Sequence, residues 1–305
     1  MRSNFDYYRP LSADEAVQLK HELGKSAVFW AGGTDLMLKW KRELIHPEHC
    51  IDLTSIPNLD YVDIDDPDCV RIGSMATLAG LAKTCCEDPH LRTIARVAAI
   101  MDTVQTRTIA TIGGNLCNAS PAADLIPPLI AMAAVLQVRG PGGTRRLAVE
   151  DLMRGPGQTS LRNDELVEEI QIPRCPKRHA SSYRRIDRTV VDIALVSAAT
   201  AITLDDDDCI VDARISLGAV APTVIRSPDA ESRLKGTPLK ELDGTLRQAV
   251  GEAASMDASP IDDVRASAEY RTAMVKVLVR RAVSYTHLTL PTICFKCRSR
   301  GAAEH

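Results

Sequence analysis

The sequence lacks a long apolar run: no stretch approaches the roughly 20 apolar residues that a membrane-spanning helix needs. It also lacks an excess of basic charge, with 37 Lys and Arg residues against 40 Asp and Glu residues. We therefore expect no nucleic-acid partner, because a basic surface supplies most of the affinity for phosphate backbones. The first residues contain no apolar signal core, so we expect a cytoplasmic protein without a membrane span.

Cysteine and glycine spacing excludes two further classes of protein. The nine cysteines indicate buried thiols rather than a disulfide framework, which is typical of short secreted chains. No GxGxxG sequence follows a predicted strand, which disfavours a nicotinamide-binding Rossmann domain. Only Cys294 and Cys297 have CxxC spacing, and we predict no metal site.

Adjacent glycines occur twice in a setting that suits phosphate binding. Residues 111–124 read TIGGNLCNASPAAD, and residues 31–36 read AGGTDL after the strand-like run 26–30. A glycine pair lets the backbone turn and expose its N–H groups to an anion. Ser120 and Pro121 suit the cap and first position of a helix through Leu125. One such pair is more often a plain turn, so the prediction depends on both.

The two stretches together resemble the flavoprotein subunit of the molybdenum hydroxylases, the family that contains xanthine dehydrogenase and aerobic carbon monoxide dehydrogenase. In that family a loop close to AGGTDL and a second loop TIGGN, followed by Ala-Ser-Pro and an Asp, hold FAD between them. Residues 182–188, 192–194 and 262–282 also resemble the family, so the resemblance covers most of the chain. It implies that FAD is the cofactor.

The resemblance also implies the residues that contact FAD. Phe29 and Trp30 end the entering strand, where core packing is the alternative role. Asp124 would lie beside the sugar and phosphate chain; its alternative role is a first-turn acid opposing a helix dipole. Arg184 and Val167 would lie near the isoalloxazine, and Met101 stands where some relatives place an aromatic residue. The pyrophosphate would be held by Ala31, Gly32, Gly33, Thr34, Asp35, Leu36, Thr111, Gly113, Gly114 and Asn115.

The function implied by the resemblance is that of an electron-transfer subunit. Electrons would come from a separate 2Fe-2S small subunit, after leaving substrate at a molybdenum-cofactor large subunit, and pass through FAD to NAD⁺, oxygen or a quinone. The assembly would be a hetero-oligomer, as a doubled heterotrimer, and this chain needs no catalytic acid, base or nucleophile of its own. A stand-alone flavin oxidoreductase and a non-redox structural subunit with an empty flavin pocket stay open as alternatives.

We predict an α+β fold in two domains. Residues 1–176 would form a two-lobed FAD-binding PCMH-type α/β domain. Residues 177–283 would form a small α+β C-terminal domain of the carbon monoxide dehydrogenase flavoprotein type, with an antiparallel sheet and helices. From Ser284 the sequence SYTHLTLPT resembles translated sequencing-adaptor read-through, so we expect residues 284–305, including the CxxC pair, to be a non-native tail.

Overall fold

The structure is a computed structural model that describes residues 5–174, 178–189 and 191–289. Its strands form one small parallel sheet and two larger antiparallel sheets, and a two-stranded hairpin stands apart from them. Each of the three sheets contributes to a hydrophobic core of its own. The predicted α+β class, with an antiparallel C-terminal sheet and helices, is confirmed. Within these described ranges, no helix is both long and apolar enough to cross a membrane.

The N-terminal lobe is built on a parallel sheet in the order β1-β3-β2. Helix α1 begins after Ser12, whose hydroxyl accepts a hydrogen bond from the Glu15 N–H at 3.1 Å, and it ends at Gly24, where φ is +63°. The elements of this N-terminal lobe are β1 (Asp6–Tyr8), α1 (Ala13–Leu23), β2 (Ala27–Trp30), α2 (Leu36–Lys41) and β3 (His49–Asp52).

A buried lysine ties this lobe to the rest of the molecule. The Lys20 ammonium donates to the backbone oxygens of Gly24 and Ala27, at 2.9 and 2.6 Å, and to Asn163 Oδ1 at 3.0 Å. Burial lowers the pKa of Lys20. The three acceptors compensate for the removal of the ammonium from water, so α1, β2 and the segment around Asn163 are held in one arrangement.

The central lobe has an antiparallel sheet in the order β4-β5-β10-β6-β7. Its helices pack apolar residues such as Leu81, Ile94 and Leu129 against the sheet. The elements are β4 (Val62–Asp63), β5 (Cys69–Gly73), α3 (Leu78–Thr84), α4 (Arg92–Ile100), α5 (Val104–Arg107), α6 (Ile112–Asn118), α7 (Ile126–Ala131), β6 (Val135–Gly140), β7 (Gly143–Ala148), the hairpin β8 (Met153–Gly155) and β9 (Gln158–Thr159), and β10 (Leu166–Pro173).

The C-terminal part is an antiparallel sheet in the order β11-β12-β13-β14, covered by helices. Every residue of β12 is buried, because the central lobe packs on one side of the sheet and α10 on the other. The elements are β11 (His179–Ile186), β12 (Val196–Leu204), β13 (Ile210–Gly218), β14 (Ile225–Arg226), α8 (Pro228–Ser232), α9 (Gly244–Asp257) and α10 (Ala268–Thr289). Of the tail expected at 284–305, residues 284–289 continue α10, and residues 290–305 lie outside the described residues.

Two histidines meet where the central lobe contacts β11. The ring centroids of His90 and His179 lie 5.3 Å apart. Nε2 of His90 is 3.1 Å from the Pro173 oxygen, and Nδ1 of His179 is 3.0 Å from Thr203 Oγ1. Burial lowers the pKa of both rings, that of His179 to about 4, so both are neutral at physiological pH.

Candidate functional site

A cleft of about 630 Å³ is bounded by residues of the N-terminal and central lobes and of the C-terminal part. A volume of this size is typical of sites for small molecules and cofactors. The predicted site residues that line it are Phe29, Ala31, Gly32, Gly33, Thr34, Asp35, Leu36, Met101, Thr111, Gly113, Gly114, Asn115, Asp124 and Val167. The structure thus brings together two stretches that are distant in sequence; that these residues contact FAD stays a prediction.

The loop of residues 31–36 is shaped by close backbone packing. A Cβ on Gly32 would lie 1.9 Å from the Ile109 backbone oxygen, so only glycine fits there. Gly33 has φ of +71°, and a Cβ on it would lie 2.6 Å from the ring atom Cζ2 of Trp30. Trp30 therefore packs against this loop and is not among the residues that line the cleft.

The N–H groups of this loop are available to a ligand. Among the described residues, none accepts a hydrogen bond from the backbone N–H groups of residues 32–36. The loop's carbonyl oxygens are used instead: those of Gly33 and Asp35 accept from the N–H groups of Met37 and Lys39 at 2.9 and 3.0 Å. Several unbonded backbone donors on a loop that lines one cleft favour the binding of an anion there.

The second glycine pair differs from the sequence expectation. Gly113 and Gly114 lie in the first turn of α6, and Thr111 is its N-cap, with Oγ1 accepting from the Gly114 N–H at 3.1 Å. The N–H of Gly113 donates to the Ser74 oxygen at 2.8 Å, and that of Asn115 to the Thr111 oxygen at 3.0 Å. The expectation of exposed N–H groups here is wrong, because helix capping and packing on residue 74 already use them.

The two glycines of α6 have different roles. A Cβ on Gly113 would lie 2.7 Å from the Ser74 oxygen, whereas a Cβ on Gly114 would meet only Thr111 Oγ1 at 3.0 Å and Ala31 Cβ at 4.0 Å. Gly113 is needed for packing, and Gly114 keeps the cleft open. The helix expected from Ser120 is also wrong: residues 120–125 are not helical, and α7 begins at Ile126, with Pro127 and Pro128 in its first turn.

Two cleft atoms lack a partner within the described part of the chain. Oδ1 of Asn115 and Oγ of Ser74 are buried and make no hydrogen bond, and both residues line the cleft. A buried polar atom without a partner is costly. A ligand that carries hydroxyl or amide groups would satisfy them, and the ribityl and ribose hydroxyls of FAD fit this requirement.

Asp124 is held by two side chains of β11. Tyr183 Oη donates to Asp124 Oδ1 at 2.5 Å, and Arg185 Nη1 donates to Oδ2 at 2.7 Å. Burial raises the pKa of Asp124, and these two hydrogen bonds oppose the rise. The alternative role of first-turn acid does not describe this residue, because its carboxylate is bonded to side chains and Leu125 precedes the helix.

Arg184 lies outside the cleft, contrary to the sequence expectation. Successive side chains of a strand point to opposite faces. Arg185 therefore lines the cleft, while the Arg184 guanidinium carbon lies over the Tyr285 ring of α10, 4.1 Å from its centroid. Arg185 is the cation that faces the site on this strand.

Met101 and Val167 both line the cleft; that they lie near the flavin ring stays a prediction. The turn after Met101 is fixed by Arg107, whose Nη1 donates to the backbone oxygens of Met101 and Asp102 at 2.9 and 2.6 Å. Asp102 has φ of +48°, in the left-handed region. The guanidinium stabilises a backbone conformation that few residues other than glycine adopt.

Charged residues that the sequence analysis did not select also line the cleft. Glu165 is 4% exposed, and hydrogen bonds from Arg145, at 2.8 Å to each oxygen, hold its pKa down at about 2. Arg162 contacts the same carboxylate at 3.0 Å. Lys39 donates to Asn118 Oδ1 at 2.8 Å. For Lys39, the local signal was its position one helical turn after the glycine loop; the Glu165 cluster depends on contacts that sequence spacing does not reveal.

Across the described ranges, no cluster of three or more His, Cys, Asp or Glu side chains has the arrangement of a metal site. The cleft offers free backbone N–H groups, unsatisfied buried oxygens and apolar side chains.

Two family models match the sequence. Residues 3–175 match the FAD binding domain in molybdopterin dehydrogenase, and residues 181–286 match the CO dehydrogenase flavoprotein C-terminal domain. The first match contains the glycine loops, α6 and most of the cleft. The second contains β11 with Arg185.

Curated proteins and solved structures are similar over nearly the whole chain. The carbon monoxide dehydrogenase medium chain of Afipia carboxidovorans is 35% identical, with 92% of this chain and 96% of that protein covered. A putative xanthine dehydrogenase FAD-binding subunit of Escherichia coli is 29% identical, covering 91% and 94%. A carbon monoxide dehydrogenase structure from Hydrogenophaga pseudoflava matches with a TM-score of 0.89 and 30% identity, covering 94% and 98% of the two chains.

Proposed function

We propose, from the premise that this chain belongs to the FAD-binding medium subunits of the molybdenum hydroxylase family, that it takes electrons from 2Fe-2S clusters and delivers them to an acceptor such as NAD⁺. Membership makes it an FAD-binding oxidoreductase subunit. The direction of electron flow and the acceptor are our proposal. The flavin site of this proposal rests on the joining of both glycine stretches in one cleft, with the free N–H groups of residues 32–36 and two unsatisfied oxygens. The electron path rests on the family to which the chain belongs.

The residues of the cleft fit FAD by their chemistry. The pyrophosphate carries about two negative charges, which the N–H groups of residues 32–36 would neutralise without mobile side chains. Gly114 leaves room beside them, and Asn115 and Ser74 would bond to sugar hydroxyls. The apolar part of the cleft wall includes Phe29, Met101 and Val167. When bound, the flavin supplies the redox chemistry, and the chain supplies position and electrostatics.

We further propose that the chain works in a cytoplasmic hetero-oligomer with a 2Fe-2S small subunit and a molybdenum-cofactor large subunit, in a doubled heterotrimer. The relatives support this by their names, which describe medium chains and FAD-binding subunits. We also propose the domain division at residues 176 and 177. The two family matches support it, since one ends at residue 175 and the other begins at residue 181.

The first test is an absorption spectrum of the purified full chain, with the released flavin identified by chromatography. Bands near about 375 and 450 nm are the oxidised flavin's own property, and FAD in the released fraction is the expected result. A colourless chain that also fails to bind added FAD would contradict the proposal and favour a structural subunit with an empty pocket.

A second measurement tests the electron path. The flavin-loaded chain alone is expected to give no substrate-driven reduction, because the substrate and iron–sulfur sites belong to other subunits. Adding the two partner subunits should allow substrate to bleach the flavin bands. Turnover by the chain alone would instead identify a stand-alone oxidoreductase.

A further inference from the structure

Lys39 stands out among the cleft residues because, in the part of the chain that the structure describes, its ammonium has one hydrogen-bond partner and no counter-ion. Its Nζ donates to Asn118 Oδ1 at 2.8 Å, and an ammonium has three donors. Both side chains line the cleft. Asp35 precedes Lys39 by one helical turn, at the spacing that favours ion pairs, yet within the described residues no carboxylate lies within 4.0 Å of this ammonium.

The position of Lys39 relative to the glycine loop suits its charge to the binding of an anion. Residues 32–36, whose N–H groups have no acceptor among the described residues, line the same cleft, and Lys39 follows them on α2. Asn118 ends α6, one turn after Gly114 and Asn115. The ammonium therefore bridges α2 and α6 across the part of the cleft where backbone donors already favour an anion.

We propose that Lys39, oriented by Asn118, is the residue that makes this cleft select a flavin carrying a pyrophosphate over a flavin without one. The inference rests on the proposed function, since it assumes a flavin in the cleft. The free donors of the ammonium bind the pyrophosphate oxygens, and the hydrogen bond to Asn118 fixes the direction of the side chain. Riboflavin has no phosphate oxygens to accept these bonds.

The test compares ligands that carry the pyrophosphate with one that does not. Dissociation constants for FAD and riboflavin are measured by flavin fluorescence on the flavin-free full chain, and that for ADP by competition with FAD. Lys39→Gln is expected to weaken the binding of FAD and of ADP by about ten- to a hundredfold, the usual range for a lost charge-assisted hydrogen bond. Riboflavin binding should stay unchanged. Lys41→Gln is the matched control, because Lys41 is an exposed lysine of the same helix.

Asn118→Asp separates the charge of Lys39 from its contact between α2 and α6. The aspartate keeps a partner for the ammonium but neutralises its charge, so we expect weaker FAD and ADP binding. If the contact only holds the two helices together, Asn118→Asp will bind FAD at least as tightly as the wild type, and the proposal is overturned. Equal losses for FAD and riboflavin in Lys39→Gln, or unchanged ADP binding, would also overturn it. A wild-type chain that binds no FAD would instead refute the proposed function.

Discussion

Gly114 offers a substitution that separates cofactor binding from folding. A Cβ there meets only Thr111 Oγ1 at 3.0 Å and Ala31 Cβ at 4.0 Å. Within a helix, alanine is more favourable than glycine by about 1 kcal/mol, which offsets a small adjustment of the Thr111 hydroxyl. We therefore expect Gly114→Ala and Gly114→Asp to fold, with a free energy of unfolding within about 1 kcal/mol of the wild type.

The same substitutions should strongly affect the flavin. Aspartate at this position puts a carboxylate in the space that we assign to the pyrophosphate. Two unit charges about 4 Å apart repel by about 4 kcal/mol at an effective dielectric constant near 20, which corresponds to a roughly thousandfold loss of affinity. Gly114→Ala adds bulk without charge and should cause a smaller loss.

Two comparison variants complete the experiment. A Cβ on Gly113 would lie 2.7 Å from the Ser74 oxygen, so Gly113→Ala should cost about 2 kcal/mol of stability through overpacking. Gly142→Asp is a control, because nothing lies within 4 Å of a Cβ there. Stability is measured by urea unfolding of the flavin-free chains, and flavin content by absorbance. Full FAD retention in Gly114→Asp, or a Gly113→Ala variant as stable as the wild type, would refute this reasoning.

Three further predictions concern stability. The pKa of Glu165 is about 2 in the folded chain against 4.5 for a free carboxyl, because hydrogen bonds from Arg145 and from Arg162 outweigh its burial. Together they contribute about 3 kcal/mol above pH 4.5, and this stability is lost as the pH falls towards 2. Glu165→Gln should flatten acid unfolding in that window, and an unchanged curve would contradict the assignment. The pKa of His179, which lies beside His90, is lowered from 6.5 to about 4 in the folded chain, mainly by burial. Between these pH values the unfolded chain binds a proton that the folded chain does not, so the free energy of unfolding decreases as the pH falls. His179→Asn should reduce this loss in pH-dependent thermal melts. Lys20→Met should lower the free energy of unfolding by about 2–4 kcal/mol, since it leaves buried acceptors unpaired; urea denaturation checks this, and a neutral effect would show that the acceptors find other donors.

Much of the site was predictable from sequence because its key residues are small and locally patterned. The AGGTDL loop needs glycine at Gly32 for close packing and at Gly33 for a positive φ. Both requirements are visible in the sequence as a pair of glycines. The resemblance added the pairing of this loop with residues 111–115, which local patterns alone do not give. The family and its cofactor were predicted correctly on these grounds.

The misplaced features depend on contacts between distant segments. Thr111 with Gly114 three residues later has the spacing of an N-cap bond, but the double glycine favoured the interpretation as a loop. Whether Arg184 or Arg185 faces the cleft depends on which face of β11 packs on α10, and a shift of one residue exchanges them. The contact of Lys39 with Asn118 joins two helices that only the folded chain brings together.

The contact between Gly32 and the Ile109 carbonyl has a consequence for the maturation of the protein. The two segments come from different lobes and touch backbone to backbone, so neither lobe alone contains a complete cleft. If the flavin binds in this cleft, we expect it to load only after the lobes have come together and then to hold them together by mass action. Synthesis of the chain without enough flavin would therefore yield a pool of molecules whose lobes separate more readily and are exposed to proteolysis.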